Sequence, residues 1–179
     1  MIELMWVALW WLLLKGKHQM TGSNVSSAEK TLLLDTLEKL GWPRKEVDAL
    51  IQFESGWNSR AMNPTSKAAG LIQFMPATLK RLGFKADLPP EARAAAMRDL
   101  APSEQLSWVV KYFTSSGTKW KFPGDSYLVV AAPAYVGAPD SQTVYPIGSK
   151  AWVQNPAWRD GPTGPITAGS IRRIILKRL

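Results

Sequence analysis

Only a few residue types in this chain of 179 can do catalytic chemistry. There is no cysteine, which removes thiol nucleophiles, zinc–thiolate sites and iron–sulfur clusters. His18 is the single histidine and lies in the N-terminal flank, which disfavours Ser-His-Asp chemistry and histidine-based metal sites. What remains is mainly carboxylate chemistry, and one carboxylate occupies an unexpected place. In VDALIQFESGW, residues 47–57, Val47, Leu50 and Ile51 have the i, i+3, i+4 spacing of an inward helix face, and the next position on that face is Glu54. Partial desolvation there disfavours the charged form, and the last turn of a helix presents the negative end of its dipole. Both effects push the pKa of Glu54 upward, toward the proton-bearing state a general acid requires. The bland alternative is a helix-end glutamate whose head group reaches water or pairs with a nearby arginine such as Arg60.

The elements that hold Glu54 are legible around it. Ser26 and Glu29 have capping-box spacing, and Leu33, Leu34, Leu37 and Leu40 follow as an apolar stripe ended by Gly41. Pro43 restarts a helix that stops at Gly56. Further helices are predicted near 71–82, 90–100, 103–113, 127–135 and 168–179, with Leu106, Val109, Val110 and Phe113 repeating the inward spacing. No alternating strand pair, two-residue hairpin turn or internal repeat is evident. The expected fold class is mainly α, with long Pro/Gly loops.

The N-terminus is the sharpest change of composition. The uninterrupted apolar run from Leu4 to Leu14 would be roughly 17 Å long as a helix, against a hydrocarbon core of roughly 30 Å. Its first charge is Glu3 and its cations, Lys15 and Lys17, follow the run, unlike an ordinary signal peptide. Trp6, Trp10 and Trp11 suit a membrane interface or a hydrophobic partner. The organisation predicted is an N-terminal hydrophobic helix acting as an anchor over 1–20, a linker over 21–27 and one domain over 28–179. A net charge of +8 favours a polyanionic partner, yet no motif that reads a nucleic-acid groove is present, so no specific nucleic acid is expected. The tail SIRRIILKRL has amphipathic spacing: Ile171, Ile174 and Ile175 would pack, leaving Arg172, Arg173, Lys177 and Arg178 as a basic cluster.

From Glu54 onward the chain resembles the soluble lytic transglycosylase family. The carrying pieces are Glu54-Ser55, Asn63-Pro64, Ala69-Gly70-Leu71-Ile72-Gln73 and Met75-Pro76-Ala77-Thr78, in the family's order. The resemblance implies a lysozyme-like α fold and cleavage of the β-1,4 bond between N-acetylmuramic acid and N-acetylglucosamine in peptidoglycan. It implies that one glutamate protonates the glycosidic oxygen and then, as carboxylate, takes a proton from the muramoyl C6 hydroxyl, closing a 1,6-anhydro ring. Glu54 is therefore the catalytic candidate, with Ser55, Gln73, Met75 and Tyr135 as substrate-binding candidates. Gly70 and the small residues before it allow close backbone approach to a sugar, and Gln73 offers a donor and acceptors to hydroxyl or acetamido groups. Asn63-Pro64 is expected to shape a loop.

Downstream the likeness thins. Where the family has Ala-Tyr-Asn-Ala-Gly this chain has PAYVGAP, keeping Tyr135 and Gly137 but placing Val136 at the asparagine. The region after it looks like a phage-encoded branch, whose calcium-type loop would need carboxylates where this chain has Arg159, Gly161 and Thr163. No metal and no cofactor are expected. The partners expected are peptidoglycan glycan strands, and a membrane or a hydrophobic virion component through residues 4–14. The enzyme would act on the cell wall in the periplasm from a virion or a membrane. A hydrolytic lysozyme on the same fold, which would need an activated water, and a non-catalytic envelope-binding or structural virion module are the alternatives.

Overall fold

The computed structural model describes residues 24–115 and 117–179. Among these, eight α-helices dominate: α1 (Ser27–Lys39), α2 (Arg44–Ser55), α3 (Pro76–Arg81), α4 (Pro90–Arg98), α5 (Pro102–Ser115), α6 (Asp125–Ala131), α7 (Lys150–Gln154) and α8 (Ala168–Leu176). The mainly α, lysozyme-like expectation holds. The chain forms two compact units, one combining residues 24–33 with Glu54–Tyr112 and the other combining Leu34–Phe53 with Phe113–Leu179. The expected N-terminal hydrophobic helix lies outside the described residues. No helix within them is long and apolar enough to cross a membrane.

The first unit begins with the capping box predicted from sequence. The Ser26 backbone and hydroxyl donate to Glu29 Oε2 at 2.9 and 2.6 Å, and the Glu29 amide returns to Ser26 Oγ. Between 56 and 75 the backbone is irregular, and its polar groups pair locally. The Gly70 amide donates to Ala61 O at 2.9 Å, Phe74 N to Ala69 O at 2.8 Å, and Asn63 Oδ1 accepts from the amides of Thr65 and Ser66. Asn63-Pro64 thus shapes a turn, as expected. The single helix predicted over 71–82 is shorter: residues 71–73 form a turn, and α3 starts at Pro76. Gly70 and Gln73 both have left-handed backbone, with φ of 78° and 49°, which interrupts the helix, while Pro76 favours a first-turn position. Behind this loop, Phe84 packs edge-on against Trp108 at 4.9 Å and Phe74 against Tyr112 at 5.9 Å.

Arg93 holds the connection from α3 to α4. It is buried, yet its guanidinium meets only carbonyls, those of Pro76, Lys85, Ala86 and Leu88. Four hydrogen bonds from its three nitrogens to four carbonyls let a charged side chain order a loop without a carboxylate partner.

In the second unit, Val47, Leu50 and Ile51 of α2 are fully buried, as their spacing required. Trp42 packs edge-on against Phe113 at 5.0 Å. The helix predicted over 127–135 ends at Ala131, because Pro133 supplies no amide hydrogen and restricts the residue before it; a short 3₁₀ turn over Pro133–Tyr135 follows. Two short strands, β1 (Thr143–Tyr145) and β2 (Ile166–Thr167), pair antiparallel, pairing Thr143 with Thr167 and Tyr145 with Ile166 across an irregular register. No strand pair was expected, since three- and two-residue strands so far apart in sequence show no alternation. The helix α7, also unforeseen, is started by Ser149, whose hydroxyl accepts from Trp152 N.

The C-terminal basic cluster is corrected at one position. Ile171 and Ile175 are buried as expected, but Arg172 is buried too, with 3 % of its side chain exposed. Its Nε and Nη2 donate to Asp125 Oδ1 at 2.8 and 2.7 Å, its Nη1 to Asp140 at 2.6 Å and its Nη2 to Ala138 O. Arg172 therefore joins α8 to the start of α6 and is no part of a basic surface.

Candidate active site

Glu54 is the next-to-last residue of α2, whose continuation is blocked by two consecutive left-handed residues, Gly56 at φ 61° and Trp57 at φ 60°. The turn places the carboxyl at the end of a helix whose preceding inward positions are fully buried, and Glu54 itself is half-buried. Burial alone pushes its pKa up from the ordinary 4.5 to about 7. Among the described residues no cation lies within ion-pair distance of Glu54, so the alternative of a pair with Arg60 is not what the fold adopts. The other buried oxygen acid of this unit, Tyr112, moves the opposite way relative to neutrality, to about 12, again by desolvation. Of these two, only Glu54 is placed near neutrality, where a carboxyl can exchange its proton.

The loop beside Glu54 is anchored to it through Ser55. The Ser55 hydroxyl donates to Leu71 O at 2.8 Å, which fastens the end of α2 to the Gly70-Leu71 backbone. Gln73 folds back: its Nε2 donates to Gly70 O at 3.0 Å and Ala61 O at 3.3 Å. Met75, at the start of α3, is 46 % exposed. Tyr135 lies in the second unit, half-buried at the end of its 3₁₀ turn.

Sequence reading missed Gln105. It sits fully buried on α5, accepts from Leu71 N at 3.2 Å, and donates through Nε2 to Met97 O at 2.7 Å and Ser59 O at 2.8 Å. A signal was present: Gln105 precedes Leu106 on a helix whose inward face is apolar, and a glutamine there needs partners. Gly70 fits the same contact from the other side, since a Cβ at that position would lie 2.6 Å from Gln105 Oε1. Its glycine is required by this approach as well as by its φ of 78°.

A family model described as Transglycosylase SLT domain matches residues 33–135, more than half of the chain. The chain belongs to that family. No curated protein matches the chain significantly. As an SLT-domain protein it is a lytic transglycosylase: an enzyme that degrades peptidoglycan by breaking glycosidic bonds in the manner of a lyase. The matched span contains Glu54 and the whole anchored loop from Ser55 to Thr78. For SLT-domain chemistry the arrangement offers one carboxyl poised between its two protonation states near neutrality, at the margin of solvent, with an ordered backbone loop beside it.

Proposed function

We propose that this SLT-domain enzyme cleaves the bond between N-acetylmuramic acid and N-acetylglucosamine with Glu54 as its single acid and base. The observation that carries the reading is the half-buried, unpaired Glu54 carboxyl with its pKa near 7. In the protonated form it gives its proton to the glycosidic oxygen as the C1–O bond breaks. The carboxylate left behind accepts the proton of the muramoyl C6 hydroxyl while that oxygen bonds to C1. The product is a 1,6-anhydro ring, and Glu54 is protonated again at the end of the cycle. A one-carboxylate route suits the other acids described in the same unit: Glu29 caps α1, Glu104 accepts from Ala101 N, Asp99 is engaged by Arg98, and Asp87 and Glu91 are exposed. Met75 and Tyr135 keep the substrate-contact roles that the family resemblance implies. Ser55 and Gln73 meet backbone, so their part in the site is first to shape the floor on which a sugar rests.

The attachment through residues 4–14 belongs to the same proposal. The apolar, tryptophan-rich run would hold the enzyme to a membrane or to a hydrophobic component of a virion, as a virion-associated or lysis enzyme of phage origin facing the cell wall. Removing residues 1–20 is expected to leave activity on sacculi and to abolish that association.

The test of the chemistry is mass spectrometry of muropeptides released from purified sacculi by wild type and by Glu54→Gln. Anhydro ends from wild type and no release by the variant are expected. Reducing ends would replace this reading with the hydrolytic lysozyme.

A further inference from the structure

We propose that Gln105 is a positioning residue for the Glu54 carboxyl, acting through the Leu71 peptide and the Ser55 hydroxyl. The inference rests on the assignment of Glu54 as the acid and adds to it the device that fixes its place.

The geometry is a clamp on one peptide group's neighbourhood. Leu71 N–H is held by Gln105 Oε1 at 3.2 Å, and the carbonyl of the same residue is held by Ser55 Oγ at 2.8 Å. Leu71 is fully buried, so each of its polar backbone groups needs a partner there. Gln105 is itself immobilised, because its Nε2 is engaged by Ser59 O and Met97 O at 2.8 and 2.7 Å and its side chain is inaccessible to solvent. A rigid amide on α5 thus fixes the Leu71 backbone, and that backbone fixes Ser55, whose neighbour in the chain is Glu54. Ser59 lies on the turn that follows α2, so the Nε2 end of the same glutamine also restrains the chain leaving the helix. Two independent bonds from one side chain therefore converge on the segment that carries the acid.

Such a clamp has a functional consequence separate from folding. A carboxyl whose proton affinity comes from desolvation keeps that affinity only while it is held at its depth. If the end of α2 loosens, water reaches Glu54, its pKa falls toward the ordinary carboxylate range, and the acid form is lost at a lower pH. Positioning losses of this kind appear in kcat, while loss of a sugar contact appears in KM.

The experiment measures kcat, KM and the pH profile of kcat/KM on a soluble, uncrosslinked peptidoglycan glycan strand. The proteins compared are wild type, Gln105→Met, Ser55→Ala, Ser55→Thr and Glu54→Gln, each checked for folding by circular dichroism. Expected for Gln105→Met and Ser55→Ala is a fall in kcat of about tenfold or more with KM little changed. The alkaline limb of the wild-type profile is expected near 7, where burial puts Glu54, and that of the two variants should lie at lower pH. Ser55→Thr, which keeps the hydroxyl, should restore both. If Gln105→Met does not fold, Ser55→Ala decides alone. A folded Ser55→Ala or Gln105→Met with the wild-type kcat and alkaline limb overturns the proposal, and so does a change confined to KM, which would make Ser55 a sugar contact. Activity retained by Glu54→Gln would instead remove the assignment of the acid, a different result from any of these.

Discussion

Asp125 and Glu54 are both carboxylates drawn out of water, and their surroundings differ in kind. Asp125 is fully buried; its Oδ1 takes two hydrogen bonds from Arg172, and its Oδ2 accepts the amides of Lys121 and Phe122 at 3.1 and 2.9 Å. Glu54 is half-buried, without an ion pair, and shifted upward by desolvation. The Arg172 guanidinium and two backbone amides compensate the first and make it a structural joint between α6 and α8. Leaving the second uncompensated keeps both protonation states within reach near pH 7, at some expense in stability. What separates the proposed acid from the structural carboxylate here is the absence of a cation, more than the depth of burial.

The largest effect expected from breaking this contrast is on activity. Glu54→Gln keeps the shape of the side chain but cannot deliver a proton, and a general acid contributes about 10²- to 10⁴-fold, roughly 3 to 5 kcal/mol. Clearing of sacculi by the folded variant should fall accordingly. Retention of more than about a tenth of wild-type rate would show that Glu54 is not the acid.

Arg172→Ala attacks the other carboxylate. It strands Asp125 without its partner in a site closed to solvent, and breaking a buried pair from one side costs about 3 to 5 kcal/mol. The measurement is chemical denaturation at pH 7, where a loss below about 1 kcal/mol would mean that water and the two amides already bonded to Asp125 replace the arginine. Gly124, whose Cβ would lie 2.6 Å from the Cβ of Arg172, shows how closely that joint is packed.

The two sites were not equally legible in the sequence. Glu54 could be found because a charge at i+7 on an apolar stripe is a local irregularity, readable within one helix. Its motif partners Ser55 and Gln73 were also visible, but their hydrogen-bond partners, Leu71 O for the first and Ala61 O and Gly70 O for the second, depend on a loop whose left-handed residues include the non-glycine positions Trp57 and Gln73. Nothing in local propensity announces such backbone. The Arg172–Asp125 pair spans 47 residues, and the periodicity that correctly placed Ile171 and Ile175 inward says nothing about which arginine follows them. Gln105, 34 residues from Leu71, and the β1–β2 pair escaped for the same reason. Helices and capping are written locally, whereas clamps and ion pairs are written across the fold.

A smaller effect follows the Glu54 carboxyl through pH. The folded-state pKa of Glu54, about 7, lies above its ordinary 4.5. Between those values the folded protein holds a proton that the unfolded chain has released, so stability falls as pH rises through this window and levels off above it. Because the carboxyl is still partly wetted, the change is on the order of 2 kcal/mol. Denaturation of wild type and Glu54→Gln at pH 5 and pH 8 should show the decline in wild type and its reduction in the variant. The variant should match or exceed wild-type stability at pH 8, although it is the less active protein. Equal slopes would mean that the Glu54 carboxyl is fully hydrated.

The smallest effect on stability is expected at the outer cations of the tail, where Arg173 stands next to Arg172 in sequence but in opposite surroundings. Arg173 pairs with Asp160 at 2.6 Å with 47 % and 52 % of the two side chains exposed, while Arg172 is 3 % exposed. Arg178 stacks over the Phe53 ring at 4.1 Å, and Lys177 is exposed. Replacing Arg173, Lys177 and Arg178 together by glutamine should cost about 1 kcal/mol or less, since exposed pairs and stacks are weakened by water. What should change is encounter with an anionic cell wall. Raising salt from about 0.05 to 0.5 M shortens the screening length from roughly 14 Å to roughly 4 Å, which weakens attraction between solvent-exposed charges. Wild-type binding to insoluble sacculi should therefore decline with salt, and the triple variant should bind less at low salt and follow a flatter curve. The fragments released should be the same from both proteins at every salt concentration, because the three tail cations take no part in the proton transfer proposed for Glu54. An unchanged salt curve would assign the attraction to the other cations of this +8 chain and leave α8 as a packed helix with a solvated face.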